Sequence, residues 1–196
     1  MTERAKKRLF VAIDLTDEAR EAAVDYIRQL RNDWPDTRIR IGWTKPQNLH
    51  LTLKFLGDIE GTRVTELGNA ISAVAAEFPD FQIELSGTGA FPLVKKPKVL
   101  WLGVREGGSG LRQLAQRLDE KCEQFGFPRG ERPFSPHLTI ARVREPNSAK
   151  ALAETHARNE FGPAEFAANQ VVLCESTLYP NGPTYTSLNK APLTKR

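Results

Sequence analysis

The tetrapeptides His50–Leu53 (HLTL) and His137–Ile140 (HLTI) place two of this chain's three histidines in one setting, 87 residues apart in a chain of 196. Fourteen threonines are spread along the chain. A threonine two places after two of three histidines is then roughly a one-in-a-hundred coincidence, before the shared leucine is counted. In an extended strand, side chains two apart point to one face and the residue between them to the other. Each stretch therefore reads as a strand showing a histidine and a threonine on one side. Leu51, Leu53 and Phe55, or Leu138 and Ile140, fall nominally on the core side. Two such strands facing each other across a groove would supply an acid, a base and two hydroxyl donors to a tetrahedral anion. That inventory suits phosphate-ester chemistry.

The remaining pattern alternates strands and helices without a low-complexity linker. Arg8–Asp14 is an apolar run of strand length. Thr16 offers an N-cap, with Asp17 and Glu18 in the first turn. Ala19, Ala23, Tyr26, Ile27 and Leu30 follow at helical spacing until Pro35. A second helix is expected from near Thr62, with Val64, Leu67, Ile71, Val74 and Phe78 on one face. Then come a strand Phe81–Leu85, a loop Gly87–Pro97 and a strand Val99–Val104. Ser109 is the expected cap of a third helix, whose Leu111, Leu114, Leu118, Cys122 and Phe125 form a stripe stopped by Gly126. A fourth helix runs from Ser148 towards Asn159 and carries His156, which lacks a threonine partner and reads as a core residue. A strand Val171–Leu178, a turn Pro180–Pro183 and a short last strand complete the chain.

Composition narrows the function. Forty per cent apolar and 27% charged residues describe a globular chain able to bury a core. No run approaches the roughly 20 apolar residues of a membrane span, and Leu9–Ile13 is too short for a secretion signal. Cys122 and Cys174 cannot by themselves build a zinc site or a disulfide framework. A reducing cytoplasm is the expected compartment, with no membrane partner. The net charge of +4 permits a polyanionic partner without requiring one. The densest basic stretches are Arg4–Arg8, Arg38–Arg40 and Lys95–Lys98, the last expected on a loop.

Trp43–Ile59 (WTKPQNLHLTLKFLGDI) and Phe134–Arg142 (FSPHLTIAR), with RLFVAID near the start, resemble the 2H phosphoesterases. Within them the likeness is to the RNA 2′,3′-cyclic phosphodiesterase group, also called 2′-5′ RNA ligases. The resemblance implies an α+β fold over residues 1–196. It has two pseudo-symmetric lobes, each a mainly antiparallel sheet with helices outside, flanking a central cleft. It implies His50 as proton donor and His137 as proton acceptor. Thr52 and Thr139 would hold the phosphate oxygens and Arg142 would neutralise their charge. Phe55 is either a base-stacking residue or core packing. Strict alternation puts Arg142, five after its histidine, on the wrong face, so a bulge, a sharp twist or a strand end must precede it. The implied substrate is RNA ending in a 2′,3′-cyclic phosphate, or a small cyclic nucleotide. With no Cys/His or carboxylate cluster at metal-ligand spacing, no metal is expected, nor a cofactor, and the expected state is a monomer. The competing readings are a phosphoesterase for small cyclic nucleotides or 2′-5′-linked oligonucleotides, ligase activity included, and a non-catalytic RNA-binding module.

Overall fold

The computed structural model describes residues 5–34, 39–130, 133–180 and 182–195. Nine strands and four α-helices follow in order: β1 (Lys6–Asp14), α1 (Asp17–Asp33), β2 (Ile41–Trp43), β3 (His50–Glu60), α2 (Val64–Ala75), β4 (Phe81–Leu93), β5 (Lys96–Glu106), α3 (Gly108–Glu123), β6 (His137–Val143), α4 (Lys150–Arg158), β7 (Ala164–Ala168), β8 (Gln170–Tyr179) and β9 (Gly182–Pro192). The strands form one curled antiparallel sheet in the order β7-β4-β5-β6-β3-β1-β8-β9, with β2 paired to β6. It divides into two halves that meet where β3 and β6 share the single ladder pair Leu51–Leu138. The two halves are the expected lobes.

Helices lie on the outer face and fill the main core. Tyr26, Ile27 and Leu30 of α1, Leu67 and Ile71 of α2, Leu114 and Leu118 of α3 and Leu152 of α4 are all buried. They pack against the outward residues of the strands, among them Val11, Leu51, Leu100 and Leu138. The helices are interlaced. The pair α2 and α3 backs the half containing β3, β8 and β9, whereas α1 and α4 back the half containing β4, β5 and β7. Lys54 of β3 is 6% exposed; its ammonium donates to the Asp119 carboxylate and, at 2.9 Å, to the Pro128 carbonyl. A buried charge thus ties α3 to its strand without being left unpaired.

Several local expectations hold. The Thr16 hydroxyl accepts from the Ala19 amide at 3.4 Å, capping α1. Cys122, in the stripe of α3, is buried in the core. His156 is fully buried: the Tyr26 hydroxyl lies 2.8 Å from Nδ1, and Nε2 lies 3.1 Å from the carbonyls of Gly89 and Trp101. It is a satisfied core histidine.

Others need correction. Gly87–Pro97 is not a loop. β4 runs on to Leu93, Val94 and Lys95 make the turn, and β5 begins at Lys96. Glycine and proline hide the alternation there, because a bulge between Leu85 and Thr88 contains Gly87 at φ +80°. Lys95 is therefore in a turn while Lys96 and Lys98 lie in a strand. Ser109 sits inside α3, not at its cap. Gly107 is the cap, with φ +77°, and a side chain there would collide with the Gln82 carbonyl. α4 starts two residues later than expected, at Lys150, and α2 follows a 3-10 turn at Gly61–Arg63 and ends before Phe78. The last strand is long, eleven residues paired along β8. The strands β2 and β7 were not foreseen, β7 because AEFAA is mostly small residues. Arg4, Pro35, Arg38 and Asn181, which belong to the basic stretches, the first helix stop and the last turn, lie outside the described residues. No described helix is long and apolar enough to cross a membrane.

Candidate active site

Both motifs open their strands at the seam between the halves. Pairing is antiparallel through Leu51 and Leu138, so His50 and Thr139 flank one side of that pair while Thr52 and His137 flank the other. The two leucines are buried in the core, and the two histidines and two threonines are half-buried on the opposite, concave face. The alternation read from the sequence is thus correct for the first three residues of each motif.

It breaks at the fourth, in the same way twice. Along β1, Ala12 faces Thr52 and Val11 faces Lys54, leaving Leu53 as an extra residue. Along β5, Trp101 faces Thr139 and Leu100 faces Ala141, leaving Ile140 as an extra residue. Each bulge resets the phase of its strand, so the residue five after the histidine returns to the histidine's face. Arg142 reaches the cleft this way, lining it with Thr139. Phe55 is 66% exposed and also lines the cleft. Its nominal core orientation is therefore wrong, and the cause is the bulge at Leu53. Ile140's carbonyl accepts from the Thr44 amide at 2.9 Å, and the Thr44 hydroxyl donates to the Thr139 carbonyl at 3.0 Å. The turn after β2 thereby holds the bulge that aims Arg142.

The histidines are oriented by one device. Nδ1 of His50 lies 2.8 Å from the Asn48 carbonyl, and Nδ1 of His137 lies 2.7 Å from the Ser135 carbonyl. A carbonyl can only accept, so each Nδ1 carries hydrogen and each neutral ring has its lone pair on Nε2, the atom that can exchange a proton. Nε2 of His50 receives a hydrogen bond from the Thr52 hydroxyl at 2.9 Å. The turn that supplies Asn48 is itself anchored: Arg20 donates to the carbonyls of Pro46 at 2.7 Å and Leu49 at 3.1 Å. The Asn48 side-chain amide donates to the Pro183 carbonyl at 2.8 Å.

Around the rings the halves differ. His50 stacks on Phe10, with centroids 4.8 Å apart, and meets Tyr185 edge-on at 5.2 Å. Phe10, Ala12, Val172 and Cys174 form a second, small apolar cluster under this side of the cleft, with Tyr185 against it. His137 meets the edge of Phe91 at 4.9 Å. Asp14 stands opposite His50 in the ladder, whereas the place opposite His137 is Gly103. Burial lowers the pKa of His50 to about 4; the Asn48 carbonyl and Asp14 act against that, while Arg142 and Arg20 reinforce it. His137 is also lowered, by burial and Arg142, against the pull of Ser135. Both shifts favour the neutral ring at pH 7. An arriving anion would raise both, by supplying the negative charge that favours imidazolium.

The pocket has a volume of about 560 Å³ and extends from His50, Thr52, Thr139 and Arg142 towards Phe55, Arg8, Ser176 and Tyr185. Burial raises the pKa of the Tyr185 phenol, and the charges of Arg142 and Arg8 oppose this. Thr44, Asn48, Phe10 and Tyr185 were not singled out from the sequence. The first two lie in the quoted stretch Trp43–Ile59 and Phe10 in RLFVAID, while Tyr185 gave no signal. Among the described residues, no three His, Cys, Asp or Glu side chains gather as a metal-binding group.

Known proteins resemble the chain over most of its length. The RNA 2′,3′-cyclic phosphodiesterase of Aquifex aeolicus is 36% identical over 77% of this chain and 81% of its own. That of Archaeoglobus fulgidus is 35% identical over 92% of this chain and 97% of its own. Among solved structures, TT0787 of Thermus thermophilus superposes with a TM-score of 0.79 at 29% identity, over 96% of this chain and 99% of that one. LigT of E. coli, complexed with 3′-AMP, gives 0.75 at 30% identity, over 97% and 99%. The model of the 2′-5′ RNA ligase superfamily matches residues 16–178, a span that takes in both histidine–threonine strands and the bulges behind them. By sequence and fold together, this chain belongs to the 2′-5′ RNA ligase superfamily of 2H phosphoesterases.

Proposed function

We propose that the protein hydrolyses the 2′,3′-cyclic phosphate at an RNA end, breaking the bond to the 3′-oxygen and leaving a 2′-phosphomonoester. The observation that carries this reading is the antiparallel pairing of the two motifs about Leu51–Leu138. It sets two imidazoles, two hydroxyls and a guanidinium about one seam; the Nε2 of His50 is held by Thr52, and His137 stands beside the residues that line the pocket and not among them. The names and structures of the relatives support the same reading.

In-line attack on a cyclic phosphate requires a base on one side of phosphorus and an acid on the other. His137 takes a proton from water through Nε2, and the new P–O bond forms as the P–O3′ bond breaks. His50 delivers its proton to the departing 3′-oxygen. Asp14 favours a charged His50, and no carboxylate stands at the matching place beside His137. That asymmetry favours the acid role for His50 only with phosphate bound, whose negative charge must offset the burial that otherwise holds the ring neutral. Once His50 is protonated, Nε2 becomes a donor and releases the Thr52 hydroxyl to donate to a phosphate oxygen. Thr139 and Arg142 meet the charge that grows on the equatorial oxygens. Phe55, exposed at the pocket's edge, offers a face for the terminal base. The protein works as a monomer without a membrane.

Turnover of a cyclic-phosphate-ended oligoribonucleotide, with the product identified by phosphorus NMR, tests the reading. A 2′-phosphate is expected. A 3′-phosphate, or action confined to 2′-5′ linkages, would overturn it. The proposed groups supply acid, base and charge among themselves, so excess EDTA is expected to leave the rate unchanged. Loss with chelator and recovery with a divalent ion would remove this mechanism.

A further inference from the structure

The pocket is larger than a phosphate, and a second guanidinium, that of Arg8, lines it as well. Arg8 lines it together with Phe10, Ser176 and Tyr185. Alternation along β1 puts Arg8 on the same face as Phe10, about 7 Å further along the strand. Phe10 in turn stacks under His50. Arg8 therefore stands one aromatic residue away from the reacting centre, on the side opposite the seam.

Its charge is uncommitted. Asp58 is its ladder neighbour across β3, yet Arg8 forms no ion pair or hydrogen bond among the described residues. The adjacent Lys7 behaves differently: it points to the other side and its ammonium lies 2.6 Å from the Glu175 carboxylate. Lys6 is exposed on the Arg8 face, so the basic track continues outward from the pocket. This is the basic stretch Arg4–Arg8, to which the hydrolytic mechanism gives no task. Arg4 lies outside the described residues.

We infer that Arg8 binds the phosphodiester on the 5′ side of the terminal nucleotide, so that this arm of the pocket selects an RNA chain end over a free nucleoside cyclic phosphate. The inference rests on the cyclic-phosphate reading of the cleft. With the cyclic phosphate held at Arg142 and the sugar and base beside Phe10, Tyr185 and Phe55, the chain leaves along β1. The first negative group it presents there is the 5′-phosphodiester. A planar guanidinium with open donors suits that group. A nucleoside cyclic phosphate with a free 5′-hydroxyl leaves Arg8 unused.

The test compares a nucleoside 2′,3′-cyclic phosphate with the same compound carrying a 5′-methylphosphate diester, which adds the charge without a second base. The protein is expected to favour the diester about tenfold in kcat/KM, the scale of one charge-assisted contact. Arg8→Ala should reduce that preference to near unity, with Arg8→Lys restoring part of it. Raising salt should erode the preference with a log–log slope of about −0.7, as for one phosphate contact on a single strand. No preference in the unaltered protein, or a preference that survives Arg8→Ala, overturns the inference. If neither compound is hydrolysed, the catalytic reading fails by itself. The Arg8 inference is then decided by binding of the matching 2′-monophosphates, with and without the 5′-diester, where Arg8→Ala must again remove the difference.

Discussion

Replacing His137 with alanine is expected to lower turnover of cyclic-phosphate RNA by roughly 10²–10⁴-fold, the usual contribution of a positioned acid or base. The pH profile separates its role from that of His50. The productive state holds His137 neutral and His50 charged, so kcat/KM rises as His137 loses its proton and falls as His50 loses its own. His137→Ala should abolish the rise, and His50→Ala should abolish the fall. Burial lowers the pKa of His50 to about 4 and that of His137 below its ordinary value, which puts the kcat/KM profile on the acidic side. Bound substrate adds negative charge and favours His50's charged form, so the alkaline limb of kcat should lie at higher pH than that of kcat/KM. An activated aryl ester, whose leaving group needs no proton, should suffer less from His50→Ala than from His137→Ala. Equal losses for both variants on both substrates would leave the two roles unassigned.

Arg142→Ala is expected to reduce kcat/KM by about 10²–10³-fold, the scale set by losing one preorganised donor to a developing anion. Arg142→Lys should recover only part of the loss, because an ammonium keeps the charge but not the planar pair of donors. A second readout distinguishes direct contact with phosphate from general support of the fold. Arg142 depresses the pKa of both histidines, so its removal should raise both, moving the limbs of kcat/KM to higher pH. Inorganic phosphate should also inhibit less strongly. A loss below about threefold, far short of one donor's usual worth, with unmoved limbs, would refute the assignment of Arg142 to the phosphate.

The reach of the sequence ends at identifiable points. The face shared by His50 and Thr52, and by His137 and Thr139, follows from the period of a strand, and the structure has the same arrangement. Phe55 and Arg142 could not be placed by that period, because neither Leu53 nor Ile140 carries a mark of being the extra residue. A bulge is defined by the partner strand, and partners are set by the whole sheet. The same reason accounts for the stretch after Gly87. Its glycines and prolines suit a loop in isolation, yet they extend a hairpin once β5 lies alongside. The neighbours that shape the histidines, Phe10, Asp14 and Tyr185, are ordinary strand residues in sequence. They become significant only through the order in which β1, β3, β8 and β9 assemble.

That order has a mechanical side. Helix α1 leaves a strand of one half and backs the other, while α3 leaves a strand of the second half and backs the first. Each half-sheet therefore lacks part of its apolar cover unless the other half of the chain has already arrived. Tyr26 of α1 closing on His156 of α4 is one such crossing. No single cut yields two fragments that each keep a sheet and its helices, so separately expressed halves should stay unstructured until mixed. On heating, the two motifs should be lost together in one transition, since neither strand can melt without uncovering the core beneath its counterpart.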